Sequence, residues 1–167
     1  PTRRSSDLLR AERRDIMKLA EALIERADLQ KRLSQLKNRL LINAKVQEGE
    51  TPAEEPTALI RELDAVILQL ERLIIRINMT NANTVLENGE TLSSLLVQRD
   101  CLRMKTETLR DFLSDASATV MRGTKTEVVI RSTVSVSDLQ KTVDGLSKEL
   151  RELDVQIQSL NWTTELP

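Results

Sequence analysis

Two stretches of the chain place leucine, isoleucine and valine at alternating steps of three and four residues, and this spacing restricts the possible folds more than any other feature. Such steps put all members on one face of an α-helix. We assign these residues, together with Trp162, to the seam of a helical core or of an oligomer. The seam residues are Leu59, Leu63, Val66, Leu70, Leu73, Ile77, Leu139, Val143, Leu146, Leu150, Leu153, Ile157 and Leu160.

Weaker series of the same kind predict two further helices. Local signals support the boundaries: Pro56 suits the first turn of a helix, Thr91 is a suitable N-cap, and Ser135 stands three residues before Asp138, which is a capping-box spacing. A second line of isoleucines on the second helix, Ile60, Ile67 and Ile74, makes its apolar face too wide for one neighbour. The predicted helices span about residues 18–46, 56–80, 92–116 and 136–161.

One segment before the last helix has a different character. Residues 124–135 are rich in β-branched side chains and partly alternate, which is typical of strands. Because an isolated hairpin is marginal in water, we expect these strands to pair with each other on the bundle or with a second subunit. The sequence therefore predicts a mainly α fold: an elongated four-helix bundle of coiled-coil hairpins with a short β-hairpin or strand pair before the last helix. The Asn- and Thr-rich connection allows helices 2 and 3 to fold back on each other or to stack end to end.

Residues 1–16 look like an artefact rather than part of a domain. Translated back into codons, Pro1–Leu8 matches a short-read sequencing adaptor, and the codons for Ala11–Met17 can contain a ribosome-binding sequence just before a start codon. We therefore expect residues 1–16 to be disordered and residues 17–167 to form a single helical domain. The alternative is a basic N-terminal arm.

The composition excludes several kinds of chemistry. The chain has no histidine and one cysteine, so it can form neither a histidine-based catalytic site nor an intrachain disulfide. The net charge of −1 lacks the basic excess that nucleic-acid binding needs. No apolar run is long enough to span a bilayer. We expect no nucleic-acid partner, no stable membrane insertion and a cytoplasmic location.

The candidate chemical groups are weak. Cys101 has no possible histidine partner, and we expect it to be a small buried or half-buried residue. Glu107, Asp111 and Asp115 recur every four residues on one helix face, which is typical of a solvated surface, although acids from other helices could complete a metal site. We therefore predict no catalytic residue, no cofactor and no metal.

Two other segments have alternative interpretations. The polar run from Thr80 to Thr84 is either a ligand-binding loop or, as we expect, the reversal between helices 2 and 3. Trp162 either anchors a partner or a membrane surface or, as we expect, covers the end of the bundle.

Six segments from Met17 onward carry a resemblance to known sequences: Met17–Gln30, Ile77–Asn81, Gly89–Leu92, Gln98–Asp100, Leu150–Asp154 and Asn161–Trp162. They resemble a family of small bacterial proteins labelled septicolysin. The resemblance covers nearly all of residues 17–166 and implies an elongated, mostly helical, oligomeric protein without catalytic residues to carry over. The label itself suggests a haemolysin, yet a pore-former needs a large lipid-facing apolar side or aromatic anchors, whereas this chain has a single Trp and we expect no signal peptide.

Together these features predict a non-enzymatic helical protein that forms a homo-oligomer through its helical seams. The physical reason is the surplus of apolar surface on four helices, part of which needs another subunit to cover it. Two alternatives remain at this point: a membrane-active, haemolysin-type protein, and a metal-dependent enzyme that uses clustered carboxylates. A different protein partner is a further possibility.

Overall fold

The computed structural model describes residues 17–118 and 131–167, and these residues form four helices. The mainly helical, four-helix fold predicted from the apolar spacing is confirmed. Coiled-coil packing and an elongated form stay predictions. The helices are α1 (Leu19–Ile42), α2 (Pro56–Asn83), α3 (Leu92–Ser117) and α4 (Val136–Thr163).

The predicted β-hairpin before α4 is not seen. Residues 124–130 lie outside the described residues, and residues 131–135 form no strand. The Ser132 hydroxyl accepts from the Val134 amide at 3.4 Å and donates to the Val134 carbonyl at 3.0 Å, while Ser135 Oγ accepts from the Asp138 amide at 3.4 Å. These serines bind nearby backbone groups, and Ser135 caps the start of α4, so local bonding competes with strand pairing in residues 132–135.

Two helix ends differ from the sequence prediction. Helix α1 stops at Ile42 rather than near residue 46, because Asn43 turns the chain there: its amide and its side-chain Nδ2 both donate to the Arg39 carbonyl, at 3.1 and 2.9 Å. Helix α2 continues to Asn83, and the Thr84 hydroxyl and amide close its last turn by donating to the Thr80 carbonyl at 2.8 and 2.9 Å.

The described residues divide into two compact units. The first contains the residues up to Val85 together with Leu160–Pro167, and the second lies within Leu86–Ser159. In the first unit α1 and α2 pack against each other as an antiparallel helical hairpin. Its fully buried line comes from both helices, at 5% exposure or less: Leu19, Ala22, Leu36, Leu59, Val66, Leu73 and Ile77.

The last residues of the chain close the far end of this hairpin. The Leu19 amide donates to the Thr164 carbonyl at 2.9 Å, and the Leu166 amide donates to the Met17 carbonyl at 2.8 Å. Leu166 is buried, and Arg76 of α2 donates from Nε to the Pro167 carbonyl at 2.8 Å. The C-terminal segment is therefore a structural part of the first unit.

In the second unit α3 and the part of α4 up to Ser159 run in opposite directions. Arg110 donates to Ser147 Oγ at 3.1 Å, and Arg103 lies 3.8 Å from Asp154. The two arginines are seven residues apart, and so are their partners in reverse order, as an antiparallel helix pair requires. Gly89, with φ of +83°, forms the turn before α3, and Thr91 caps that helix by accepting from the Ser94 amide at 3.1 Å.

Candidate protein-binding groove

The first hairpin carries an open groove of about 600 Å³ between α1 and α2. Six residues of α1 and one of α2 line it, and most of the lining is leucine. We call this groove the apolar groove. Its lining residues are Gln30, Leu33, Ser34, Lys37, Leu40, Leu41 and Leu63.

The helical period explains why these leucines lie beside the core rather than inside it. Leu36 fills the centre of the interface and is fully buried. Leu33 and Leu40 stand one turn before and after Leu36, displaced toward one side, and both are half-buried. Leu41 lies further around the helix and is 64% exposed. The apolar surface of α1 is therefore wider than the strip that α2 covers.

Isoleucines of α2 extend this surface beyond the groove. Ile60 and Ile67 stand one turn before and after Leu63 and are 47% and 43% exposed. Ile74 follows seven residues later and is half-buried. The second isoleucine line seen in the sequence thus continues the apolar groove along α2. We call the groove and these three isoleucines the apolar flank.

The opposite side of the same hairpin is charged. A second groove of about 430 Å³ lies there, lined largely by polar side chains of α1. Arg39 binds both carboxylate oxygens of Glu54 and also reaches Glu62 at 3.3 Å. Glu62 in turn accepts from Arg32 at 2.6 Å. We call the cluster of Arg32, Arg39, Glu54 and Glu62 the ion-pair flank.

The electrostatics of this flank follow from its hydrogen bonds. The bonds from Arg39 hold the pKa of Glu54 below its ordinary value, and the bond from Arg32 does the same for the pKa of Glu62. The pKa of Arg39 is raised, chiefly by its bond to Glu54. All these side chains are partly open to water, so the cluster fixes geometry more than it adds stability.

Asn43 positions the loop that brings Glu54 to Arg39. Its side-chain Oδ1 accepts from the Glu54 amide at 3.0 Å, while its Nδ2 binds the end of α1. Asn43 is buried. The sequence reasoning missed both Asn43 and the ion-pair cluster. The available signal was an asparagine directly after the run of Leu40 to Ile42, a residue type that favours helix ends.

Apart from Trp162, the predicted seam residues lie at buried and half-buried positions. In α2 the buried ones are Leu59, Val66, Leu73 and Ile77, while Leu63 and Leu70 are half-buried. In α4 Val143 and Ile157 are buried, and the half-buried ones are Leu139, Leu146, Leu150, Leu153 and Leu160. Of this set, Leu63 lines the apolar groove. A role in assembly for the seam stays a prediction.

Trp162 does not share the burial of the seam. It is 57% exposed, whereas its neighbour Asn161 is buried. The seam of α4 ends on steps of three and four at Leu160, so position 162 falls off that face. We expected Trp162 to cover the end of the bundle, whereas the structure leaves more than half of its surface exposed.

The other candidate groups do not assemble into a site. Cys101 is exposed, so the expectation of a buried or half-buried thiol is wrong. In the described part of the chain no three acidic or cysteine side chains converge as metal ligands, and Glu107, Asp111 and Asp115 are all exposed. Residues 80–83 are the last turn of α2, so the run from Thr80 is neither a ligand-binding loop nor, as we expected, the reversal after that helix; the connection to α3 consists of residues 84–91. None of the helices in the described segments is long and apolar enough to cross a bilayer.

Comparison with other proteins identifies relatives but no activity. The sequence profile of DUF6847, described as a family of unknown function, matches residues 26–166. A crystal structure of a functionally unknown conserved protein from Corynebacterium diphtheriae is similar, with 40% identity and a TM-score of 0.85. The match covers 90% of this chain and 99% of that one. No curated protein matches the chain.

These relatives overturn one expectation from the sequence. The resemblance to septicolysin is wrong, because both the family and the similar structure are of unknown function and neither points to septicolysin. The membrane-active alternative was drawn from that label and loses its basis with it.

Proposed function

Because this chain belongs to DUF6847, a family of unknown function, we propose its function from its own surface: it is a non-enzymatic helical protein that forms a homo-oligomer through the apolar flank of its first hairpin. The observation that carries this proposal is the apolar groove with its exposed isoleucines. A cytoplasmic location remains part of the proposal.

The size of the apolar flank supports an assembly role. Scattered exposed apolar residues are normal on a protein surface, but a contiguous patch is typical of a binding surface. Leu33, Leu40, Leu41 and Leu63 meet in one groove, and Ile60 and Ile67 adjoin Leu63 on the same face. Removing such a patch from water is favourable by about 25 cal/mol per Å² of apolar surface.

The chemistry of the groove supports binding rather than catalysis. Its two functional groups besides the serine hydroxyl are the Lys37 ammonium and the Gln30 amide, and neither has an acid or base beside it in the lining. The chain contains no histidine that could act as a general base near neutral pH. The net charge of −1 likewise gives no support to a nucleic-acid partner.

The proposal is tested by the solution mass of the full chain, measured by size exclusion with light scattering. We expect a discrete oligomer. Ile67→Lys places a charge on the apolar flank and should shift the protein to a monomer, because a hydrated ammonium then stands where assembly would bury apolar surface. Helicity by circular dichroism should be unchanged, since Ile67 is 43% exposed in the single chain.

Ile24→Lys is the matched control. Ile24 is 56% exposed and lies on α1 outside the lining of the apolar groove, so its variant should keep the mass of the parent protein. A parent chain that stays monomeric up to about 100 μM, where a micromolar self-association is well populated, would disprove the proposal. An Ile67→Lys variant that is folded and still oligomeric would exclude this flank as the contact.

A further inference from the structure

The two rims of the apolar flank carry opposite charges. On α1, Lys37 lines the apolar groove and Arg26 lies one turn before Gln30 on the same face. On α2, Asp64 stands one turn from both Ile60 and Ile67, and Glu71 stands one turn from Ile67 and Ile74. The α1 rim is therefore basic and the α2 rim acidic.

These four charges have no ion-pair partner within the described ranges. The ion pairs of the first hairpin use Arg32, Arg39, Glu54 and Glu62, together with Lys18 and Glu165 at the far end. Arg26 is half-buried: its Nε atom is buried against the chain without a hydrogen-bond partner in the described residues, so the terminal nitrogens of its guanidinium are the atoms that can meet an anionic group from outside the chain.

The charges also lie at matching heights along the hairpin. Glu62 pairs with both Arg32 and Arg39, which are seven residues apart, so its level on α1 lies midway, between residues 35 and 36. From that level Arg26 and Glu71 each lie about nine residues toward the same end of the hairpin, so these two are level. Lys37 and Asp64 lie about two residues to opposite sides of that level, an offset of about 5 Å, which is within the reach of a lysine.

A two-fold axis decides how these charges meet when two copies pack face to face. An axis parallel to the helices lays α1 of one copy over α2 of the other without changing the levels, so each basic rim meets an acidic rim. An axis across the helices lays α1 over α1 and α2 over α2, which opposes like charges. The charge pattern therefore favours the first arrangement and disfavours the second.

The available area suits such a pair. Helix α1 has 24 residues and is about 36 Å long, and two adjacent helices are about 20 Å wide. One face of the hairpin thus offers about 700 Å² per copy, close to the 800 Å² or so that each partner contributes to a stable interface of standard size.

We infer that two copies of this chain pack apolar flank to apolar flank about a two-fold axis parallel to α1 and α2, with Lys37 against the partner's Asp64 and Arg26 against the partner's Glu71. This inference rests on the proposed function and adds the occupant of the groove, its orientation and its ion pairs.

Charge reversal in the full chain tests the inference. The acidic variant carries Arg26→Glu and Lys37→Glu, and the basic variant carries Asp64→Lys and Glu71→Lys. Each variant alone has rims of one sign and should self-associate about tenfold or more weakly at low ionic strength, because every interfacial pair becomes repulsive. An equal mixture of the two variants should regain the dimer mass in light scattering. The effect should shrink at about 1 M salt, where the Debye length is about 3 Å.

The variant with all four substitutions shows whether charge pairing causes the loss, because its rims are again opposite in sign and the inferred orientation restores its homodimer. The single-sign variants separate the two orientations, since the crossed orientation opposes like charges in them as it does in the parent chain and predicts no loss. Two outcomes would overturn the inference and leave the proposed function standing. One is that the single-sign variants dimerise as well as the parent; the other is that the variant with all four substitutions stays monomeric while remaining helical. A monomeric parent chain would overturn the proposed function itself.

Discussion

The two flanks of the α1–α2 hairpin differ in what their side chains contact: those of the ion-pair flank bind one another, whereas those of the apolar flank border a groove that is not filled by the described chain. On the ion-pair flank, Arg39 reaches both Glu54 and Glu62, and the groove there is lined by groups that either pair or face water. On the apolar flank, leucines and isoleucines line a groove of about 600 Å³ that no described segment of the chain fills. The buried line through Leu36 and Val66 divides the two.

This difference indicates which side of the hairpin is suited to contact another molecule. A charged flank gains little from leaving water, because its ions are already hydrated and partly paired. An apolar flank gains free energy in proportion to the area that a partner covers.

Leu36→Ala should have the largest effect. Leu36 is fully buried between the helices, and its truncation should lower the free energy of unfolding by about 2–5 kcal/mol. Leu41→Ala, at a position 64% exposed in the apolar groove, should cost far less in the single chain. Urea unfolding of a dilute, monomeric sample measures both. Equal losses for the two variants would contradict the division between a buried line and an open flank.

Asn43→Ala should come next. The substitution removes the bonds to the Arg39 carbonyl and from the Glu54 amide at a buried position, and we expect a loss of about 1–3 kcal/mol in unfolding. Asn38→Ala, at an exposed position five residues earlier in α1, is the control and should be nearly neutral. If both variants unfold alike, Asn43 does not hold the Glu54 loop.

Arg39→Met should have a smaller effect that depends on salt. It removes the bonds to Glu54 and Glu62 while keeping part of the side-chain length, so the melting temperature should fall at low ionic strength and approach that of the parent chain as salt screens the cluster. Lys31 lines the same polar groove but forms no ion pair with a described residue, so Lys31→Met should show neither the fall in melting temperature nor its dependence on salt. A salt-independent loss for Arg39→Met would show that packing, rather than charge, dominates on this flank.

The smallest effect should come from acid, which protonates the glutamates of the ion-pair flank and so weakens their ion pairs. The carboxyls of Glu54 and Glu62 bind protons less readily in the folded chain, because hydrogen bonds from Arg39 and Arg32 lower their pKa. The stability that they add is complete above the ordinary glutamate pKa and is lost as the pH falls through their lowered values. Melting temperatures between about pH 6 and 3 should therefore fall less steeply in the double variant Glu54→Gln, Glu62→Gln than in the parent chain. Parallel curves would mean that these two groups do not contribute to the acid response.

Much of the fold could be predicted because its signals are local. The period of the apolar residues, the proline at position 56 and the cap at Thr91 each act within one or two turns of helix, and the helices begin where these signals occur. In the described part of the predicted strand segment, residues 131–135, no strand forms for a related reason. The β-branched run favours a strand by composition, but at residues 132–135 serine side chains bind their own backbone and begin α4.

The candidate site was less predictable because it depends on pairs that are distant in the sequence. Nothing in the spacing of α1 shows that Arg39 faces Glu54 across the loop, or that Leu33 and Leu63 border one groove. The isoleucine line of α2 did indicate surplus apolar surface, yet periodicity gives only the face of a helix and not what covers it. Trp162 differs in this respect, because its position two residues after Leu160 takes it off the three-and-four steps of the α4 seam, and the spacing alone indicates that it is exposed.

The pairing of Leu166 with Met17 also has a consequence for synthesis on the ribosome. The first unit includes residues from α1 and α2 and the segment from Leu160 to Pro167, while the second unit lies between them in the chain. The hairpin is therefore translated before the second unit, but its far end stays uncovered until residues 160–167 follow, because only then can Leu19 donate to Thr164 and Leu166 enter its buried position. Of the two units, the one whose synthesis begins earlier is thus completed after the other.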